Sequence, residues 1–177
     1  MYKRIALIGS HSTGKSCVVE ELAHIIKIPV INELARGYDL NTNDINKYKH
    51  YQKQILLEQI KSETSLILSN GNFISDRSTI DNAAYYLLKC QNVTTLEERK
   101  RYCELAMHNS LHYTHLFYIP IEIPMQSDGF RFENELFRSQ IDDKILEIIS
   151  YFNISVITLS GSLDERVSTI LEMIKWS

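Results

Sequence analysis

Eight residues near the start of the chain, Gly9-Ser10-His11-Ser12-Thr13-Gly14-Lys15-Ser16, follow the pattern GxxxxGK[ST]. They come directly after a short apolar run at 5–9 and directly before a segment of helical spacing at 15–27. Few patterns constrain a fold more, because this one works only as the turn from a buried strand into a helix. Its glycines let the chain curl until successive backbone N–H groups point inward, and the positive end of the helix dipole adds to them. A cradle of that kind takes a phosphate chain. Gly9, Ser12, Thr13, Gly14, Lys15, Ser16 and Cys17 would contact the nucleotide there. Lys15 would reach the β and γ phosphates as a point charge, and the Ser16 hydroxyl would ligate Mg²⁺. The competing reading, a glycine-rich turn with an incidental lysine, has to treat the flanking strand and helix as coincidence.

The rest of the chain repeats that alternation. Short apolar runs at 5–9, 29–31, 73–75, 116–119 and 155–159 predict five buried strands. Longer segments at 15–27, 43–69, 79–90, 95–109, 132–151 and 163–174 carry helical spacing. Strands alternating with helices predict a parallel sheet covered on both faces. Thr95 with Glu98 and Ser162 with Glu165 match the capping box, which anchors two of the helix starts. No repeat or Pro/Gly/Ser-rich linker divides the 177 residues, so a single domain over 1–177 is expected. The polar interruption at 120–131 reads as a mobile lid within a region of about 120–138.

Composition removes several classes of function. A net charge of -3 and a pI near 6.1 leave no global footprint for nucleic acid, although a local basic groove survives that argument. Cys17, Cys90 and Cys103 are odd in number and never spaced as CxxC, which points to a reducing, cytoplasmic compartment. Gly9 ends the first apolar run too early for a signal peptide. Nothing approaches the ~18 apolar residues of a membrane span. Residues 43–70 interleave Tyr48 and Tyr51 with Lys47, Lys49, Lys53 and Lys61. That is read as a helix with a buried tyrosine stripe and a solvated lysine face, a nucleic-acid groove being the alternative. His108 and His112 are read as sitting at the end of the fourth helix and His115 near the start of the fourth strand, rather than as a zinc site, and Cys17 as a small core residue on the first helix. The oligomeric state is open, with a homodimer among the options.

The class of NTPase follows from what surrounds the loop. Neither an [NT]KxD element nor a DxxG element is present at a plausible position, which disfavours guanine specificity. The third strand runs into Asp76-Arg77-Ser78, a junction of the kinase type and not the paired acids of a motor. Phosphoryl transfer to a hydroxyl needs a carboxylate for the acceptor, a Mg²⁺ anchor, and cations over the developing charge. Glu33 lies just past the second strand, with Arg36 three residues on. Asp76 could hold Mg²⁺, and Arg77 could contact acceptor or phosphate. Asp128-Gly129-Phe130-Arg131, then Glu133 and Arg138, set two arginines seven residues apart around a helix start, able to swing onto the triphosphate.

Taken together, the loop, Glu33-Leu34-Ala35-Arg36, Asp76-Arg77-Ser78, Asp128-Gly129-Phe130-Arg131 with Arg138, and Leu159-Ser160-Gly161-Ser162 resemble the NadR-like, nicotinamide riboside kinase-like P-loop kinases of AAA type. The resemblance implies a five-stranded parallel sheet in the order 2-3-1-4-5 with a short helical lid. It implies ATP and Mg²⁺ as cofactors, Glu33 as the acceptor carboxylate and Asp76 as the Walker B acid. Arg131 and Arg138 would be lid arginines, with Ser160 and Gly161 beside the adenine. The expected activity is transfer of the γ phosphoryl group to a hydroxyl of a nucleoside-like or nucleotide acceptor, with Asp128, Arg36 and Arg77 among its contacts. A polynucleotide or modified-base DNA kinase and a slowly hydrolysing regulatory module are the alternatives.

Overall fold

A computed structural model describes residues 2–124 and 134–175. In chain order its elements are β1 (Arg4–Ile8), α1 (Lys15–Ile26), β2 (Val30–Ile31), a 3-10 turn (Leu34–Gly37), α2 (Ile45–Ser69) and β3 (Phe73–Asp76). They continue with α3 (Thr79–Lys89), a second 3-10 turn (Gln91–Val93), α4 (Leu96–Ser110), β4 (His115–Tyr118), α5 (Glu135–Tyr151), β5 (Ile157–Thr158) and α6 (Leu163–Lys175). The five strands form one sheet in the order β2-β3-β1-β4-β5, every neighbouring pair parallel. Both the order and the alternation agree with the sequence reading.

The central strand shows why. Ile5, Ala6, Leu7 and Ile8 are all fully buried, because helices cover both faces of the sheet and each residue of β1 has apolar neighbours whichever way it points. The two-residue period of the strand sends Ala6 and Ile8 into a core with Ile80, Ala83, Tyr118 and Ile141. Ile5 and Leu7 go into a second core with Val18, Leu22, Phe117 and Ile170.

Helix starts are fixed by local chemistry. Asp44 caps α2 by accepting from the Asn46 and Lys47 amides. Ser78 with Asp81 and Thr95 with Glu98 form complete capping boxes at α3 and α4. Ser162 and Glu165 exchange the same pair of bonds before α6.

Two readings of side chains need comment. Cys17 is exposed and not a core residue: α1 buries Lys15, Val18, Val19 and Leu22, and position 17 falls on the opposite face. The tyrosine stripe of α2 is partly core, with Tyr48 buried, while its lysines are spent locally. Lys47 pairs with Asp39, and Lys49 and Lys53 both pair with Glu98. No helix among the described residues is long and apolar enough to cross a membrane.

Because β1 is central and its neighbours β3 and β4 lie on opposite sides, the strand order reverses at the carboxyl end of β1. That is where a crevice opens in sheets of this type. Gly9, Glu33 and Asp76 all emerge there, at the ends of β1, β2 and β3.

Candidate active site

The loop after β1 is closed by backbone geometry that side chains would obstruct. Gly9 has φ +146°, and a Cβ on it would stand 2.4 Å from the Ile119 carbonyl oxygen of the neighbouring strand's exit. Gly14, the N-cap of α1, is left-handed at φ 89°. Within this curl Lys15 is buried, and its ammonium donates to the Ser10 carbonyl and to Thr13 Oγ1 at 3.1 Å. Burial, with the repulsion of Arg77 second, pulls the Lys15 pKa down to about 7.

The loop's carbonyl oxygens are taken by two arginines from distant helices. Arg138 of α5 donates from Nε to His11 O at 3.1 Å and from Nη2 to Ser12 O at 2.8 Å and Ile123 O at 2.9 Å. Arg166 of α6 donates to Thr13 O at 2.9 Å and pairs with Glu122 at 2.8 Å. Arg138 therefore differs from the lid arginine expected to swing onto the triphosphate: it is fully buried, and its guanidinium is bonded to the loop backbone. Arg166 was missed in the sequence, where an arginine inside a terminal amphipathic helix looks like any surface residue. Glu122 also accepts from the Gly161 amide at 3.0 Å, which brings the 160–161 turn beside Arg166. Asp128 and Arg131 lie outside the described residues.

On one flank of the loop, Ser16 Oγ donates to Asp76 Oδ2 at 2.6 Å. The other carboxylate oxygen, Asp76 Oδ1, is buried and has no hydrogen-bond partner among the described residues. A hydroxyl and a carboxylate with a spare buried oxygen are hard donors of the kind Mg²⁺ prefers, so these residues fit the ion.

On the other flank lies a cleft lined by Glu33, Arg77, Asp81, Tyr48, Lys89 and Phe137. Glu33, at the loop end, is buried, and its carboxylate sits between Arg77 Nε and, at 3.3 Å, Arg36 Nε. Burial works against the Arg77 charge, but Glu33, Tyr85 and Asp81 hold its pKa well above the ordinary guanidinium value. Arg77 also has φ +100°, a left-handed conformation that a residue with a Cβ adopts only under constraint.

Asp81 is the cleft residue most completely hidden in the sequence. Its carboxylate accepts from the Gly9 amide at 3.0 Å and from the Ser78 amide at 2.8 Å, and it stands 3.5 Å from Arg77 Nη1. Burial pushes its carboxyl pKa up, against the pull of Arg77 and Lys15. Ser78-x-x-Asp81 is itself a capping-box signature, so a signal existed, but it announced only a helix start. His11 faces this cleft as well, its Nδ1 3.1 Å from the Tyr85 hydroxyl.

A lysine-bearing phosphate loop on the central strand of a parallel sheet ordered 2-3-1-4-5, with an acid at the tip of the next strand, defines the P-loop kinase fold. Residues 4–166 match the family described as an AAA domain, and the chain belongs to that family. Comparison with curated protein sequences finds no match.

Among solved structures, the NadR protein in complex with NR superposes with a TM-score of 0.75 at 22% identity, over 98% of this chain and 50% of that one. NadR in complex with NAD and AMP-PNP gives 0.73 at 20% identity, over 98% and 49%. The chain thus spans about half the length of the NadR structures. Deoxyadenosine kinase from M. mycoides, with products dCMP and a flexible dCDP, gives 0.75 at 11% identity over 98% and 100%. At these identities the likeness is one of fold.

Proposed function

We propose that this protein is an ATP- and Mg²⁺-dependent kinase that moves the γ phosphoryl group to a hydroxyl of a nucleoside-like small molecule. One observation carries the reading: the same loop borders two sites of different chemistry. Its Lys15 and Ser16 side carries the groups that hold a triphosphate and a metal. Its Gly9 end is bonded to Asp81 and approached by Arg77 at 3.4 Å, inside a cleft that also holds Glu33. A protein that only sensed or hydrolysed nucleotide would not need a second walled cleft beside the phosphate loop.

In this mechanism the loop amides bind the triphosphate, and Lys15 leaves the Ser10 carbonyl to meet it. Mg²⁺, held by Ser16 and Asp76, would neutralise charge on the β and γ phosphates. Glu33 orients the acceptor hydroxyl and receives its proton as the new O–P bond forms and the bond to ADP breaks. Arg77 faces the negative charge that spreads over the transferring group. Arg138 contributes by holding the loop in shape, and Ser160 and Gly161 would flank the adenine.

The bound molecules of the fold neighbours, NR and AMP-PNP in NadR and dCMP in deoxyadenosine kinase, support a nucleoside-sized acceptor and an ATP donor. The internal pairing of Lys47, Lys49 and Lys53 weighs against a polynucleotide strand. Three unpaired cysteines fit a reducing cytoplasm. The test is γ-labelled ATP incubated with nucleosides, nucleotides and oligonucleotides. Label in a nucleoside-like acceptor supports the kinase, whereas release of inorganic phosphate alone, whatever is added, would replace it with a slow ATPase module.

A further inference from the structure

Helix α3 forms a wall of the acceptor cleft along its whole length, with Asp81 at the loop end and Lys89 in its last turn. Eight residues of helix separate them by about 12 Å at 1.5 Å per residue. The Lys89 ammonium lies 4.0 Å from the centroid of the Tyr48 ring and 5.9 Å from that of Phe137, and all three residues line the cleft. No carboxylate among the described residues pairs with it, in contrast to Lys47, Lys49 and Lys53. Burial holds its pKa below the ordinary lysine value, with the neighbouring Cys90 acting in the opposite direction.

At the loop end the charges are balanced within the protein. Glu33 lies between Arg36 and Arg77, and Asp81 lies against Arg77. The uncompensated charge of the described walls is therefore the positive one at the far end. A half-desolvated ammonium gains more from an anion than from a neutral polar group, and it repels a cation.

We infer that the acceptor carries a formal negative charge, a carboxylate or phosphate oxygen, on the part of the molecule most remote from the hydroxyl that is phosphorylated. Lys89 is the residue that reads it. This rests on the kinase reading of the cleft and adds a substrate class to it.

Two matched pairs of probes test the idea. Nicotinamide riboside and nicotinic acid riboside differ only in a carboxamide or carboxylate on the ring; adenosine and adenosine 3′-monophosphate differ in a phosphate. For the full chain, kcat/KM with ATP should favour the member that bears the added carboxylate or phosphate in at least one pair by about tenfold, a difference of about 1.4 kcal/mol. Which pair shows it separates the carboxylate from the phosphate. Lys89→Met should bring the ratio near unity, and Lys89→Arg should restore it with no change in melting temperature.

Absence of any preference for the carboxylate- or phosphate-bearing member in both pairs overturns the inference, as does such a preference that survives Lys89→Met. Should none of the four accept phosphate, calorimetric binding of the same compounds in the presence of AMP-PNP decides by the same criterion, and failure of both the carboxylate- and the phosphate-bearing compound to bind overturns it. The kinase reading falls separately, when ATP transfers label to no acceptor at all.

Discussion

Ser16, in the first turn of α1, donates its hydroxyl to the Asp76 carboxylate at the tip of β3, across 2.6 Å and sixty residues of chain. The bond fixes one oxygen of Asp76 and leaves the other buried and, among the described residues, without a hydrogen-bond partner. It also joins the phosphate loop to the strand beside it, so that a change in either residue reaches the position of both.

Ser16→Ala should raise the Mg²⁺ concentration needed for half-maximal turnover by about 10- to 100-fold, the usual effect of losing a ligand's orienting partner. Asp76→Asn should do more. A Mg²⁺ titration of activity is the measurement, and unaltered metal dependence in both variants would remove the pair from the metal site.

Glu33→Gln should lower kcat by about 10² to 10⁴, the range for a general base, while ATP affinity changes little. Arg36→Ala serves as the control, since it removes one of the two cations beside Glu33 and leaves the carboxylate in place. Retention of full kcat by the glutamine variant with its best acceptor would strip Glu33 of its assigned role.

The lowered pKa of Lys15 predicts a pH-dependent affinity. With the free-state value near 7, the side chain is largely neutral above that pH, and a bound triphosphate, being anionic, raises the value. Binding at about pH 8 should therefore take up close to one proton, and affinity should fall by up to tenfold per unit as pH rises above the free-state pKa. Below the free-state value Lys15 is already charged, and its uptake vanishes. Calorimetry in buffers of different ionisation enthalpy measures the proton directly, and zero uptake on the alkaline side would contradict the prediction.

Arg77 offers a test of stored strain. Its left-handed backbone costs about 1 to 3 kcal/mol, which glycine avoids and alanine does not. Arg77→Gly should therefore be more stable to denaturant than Arg77→Ala by about that amount, with both inactive. Equal stability would mean that the backbone at 77 is relaxed.

The strand and helix positions and the two flanks of the phosphate loop were legible because each rests on a local signal, whereas the sheet order came from the family resemblance. The run Ile5 to Ile8 announces a strand covered on both faces, and Gly9 to Ser16 announces the turn that follows it. Glu33 and Asp76 were legible by position at strand ends. Asp81, Lys89 and Arg166 were not, because each works through a partner more than 40 residues away or at no fixed spacing: Gly9, Tyr48 and Thr13. Arg138 was noticed for its charge, yet its use depended on where α5 packs, which no periodicity reveals. Cys17 was misjudged by one position on a helix whose buried face is narrow.

Arg138 and Arg166 clasp the carbonyl side of the phosphate loop from helices at the far end of the chain. The shape of that loop is thus supported by bonds within the chain itself. Encounter with the nucleotide should then proceed at a pace governed by diffusion and charge. A loop already held in shape adds little ordering cost to whatever it binds.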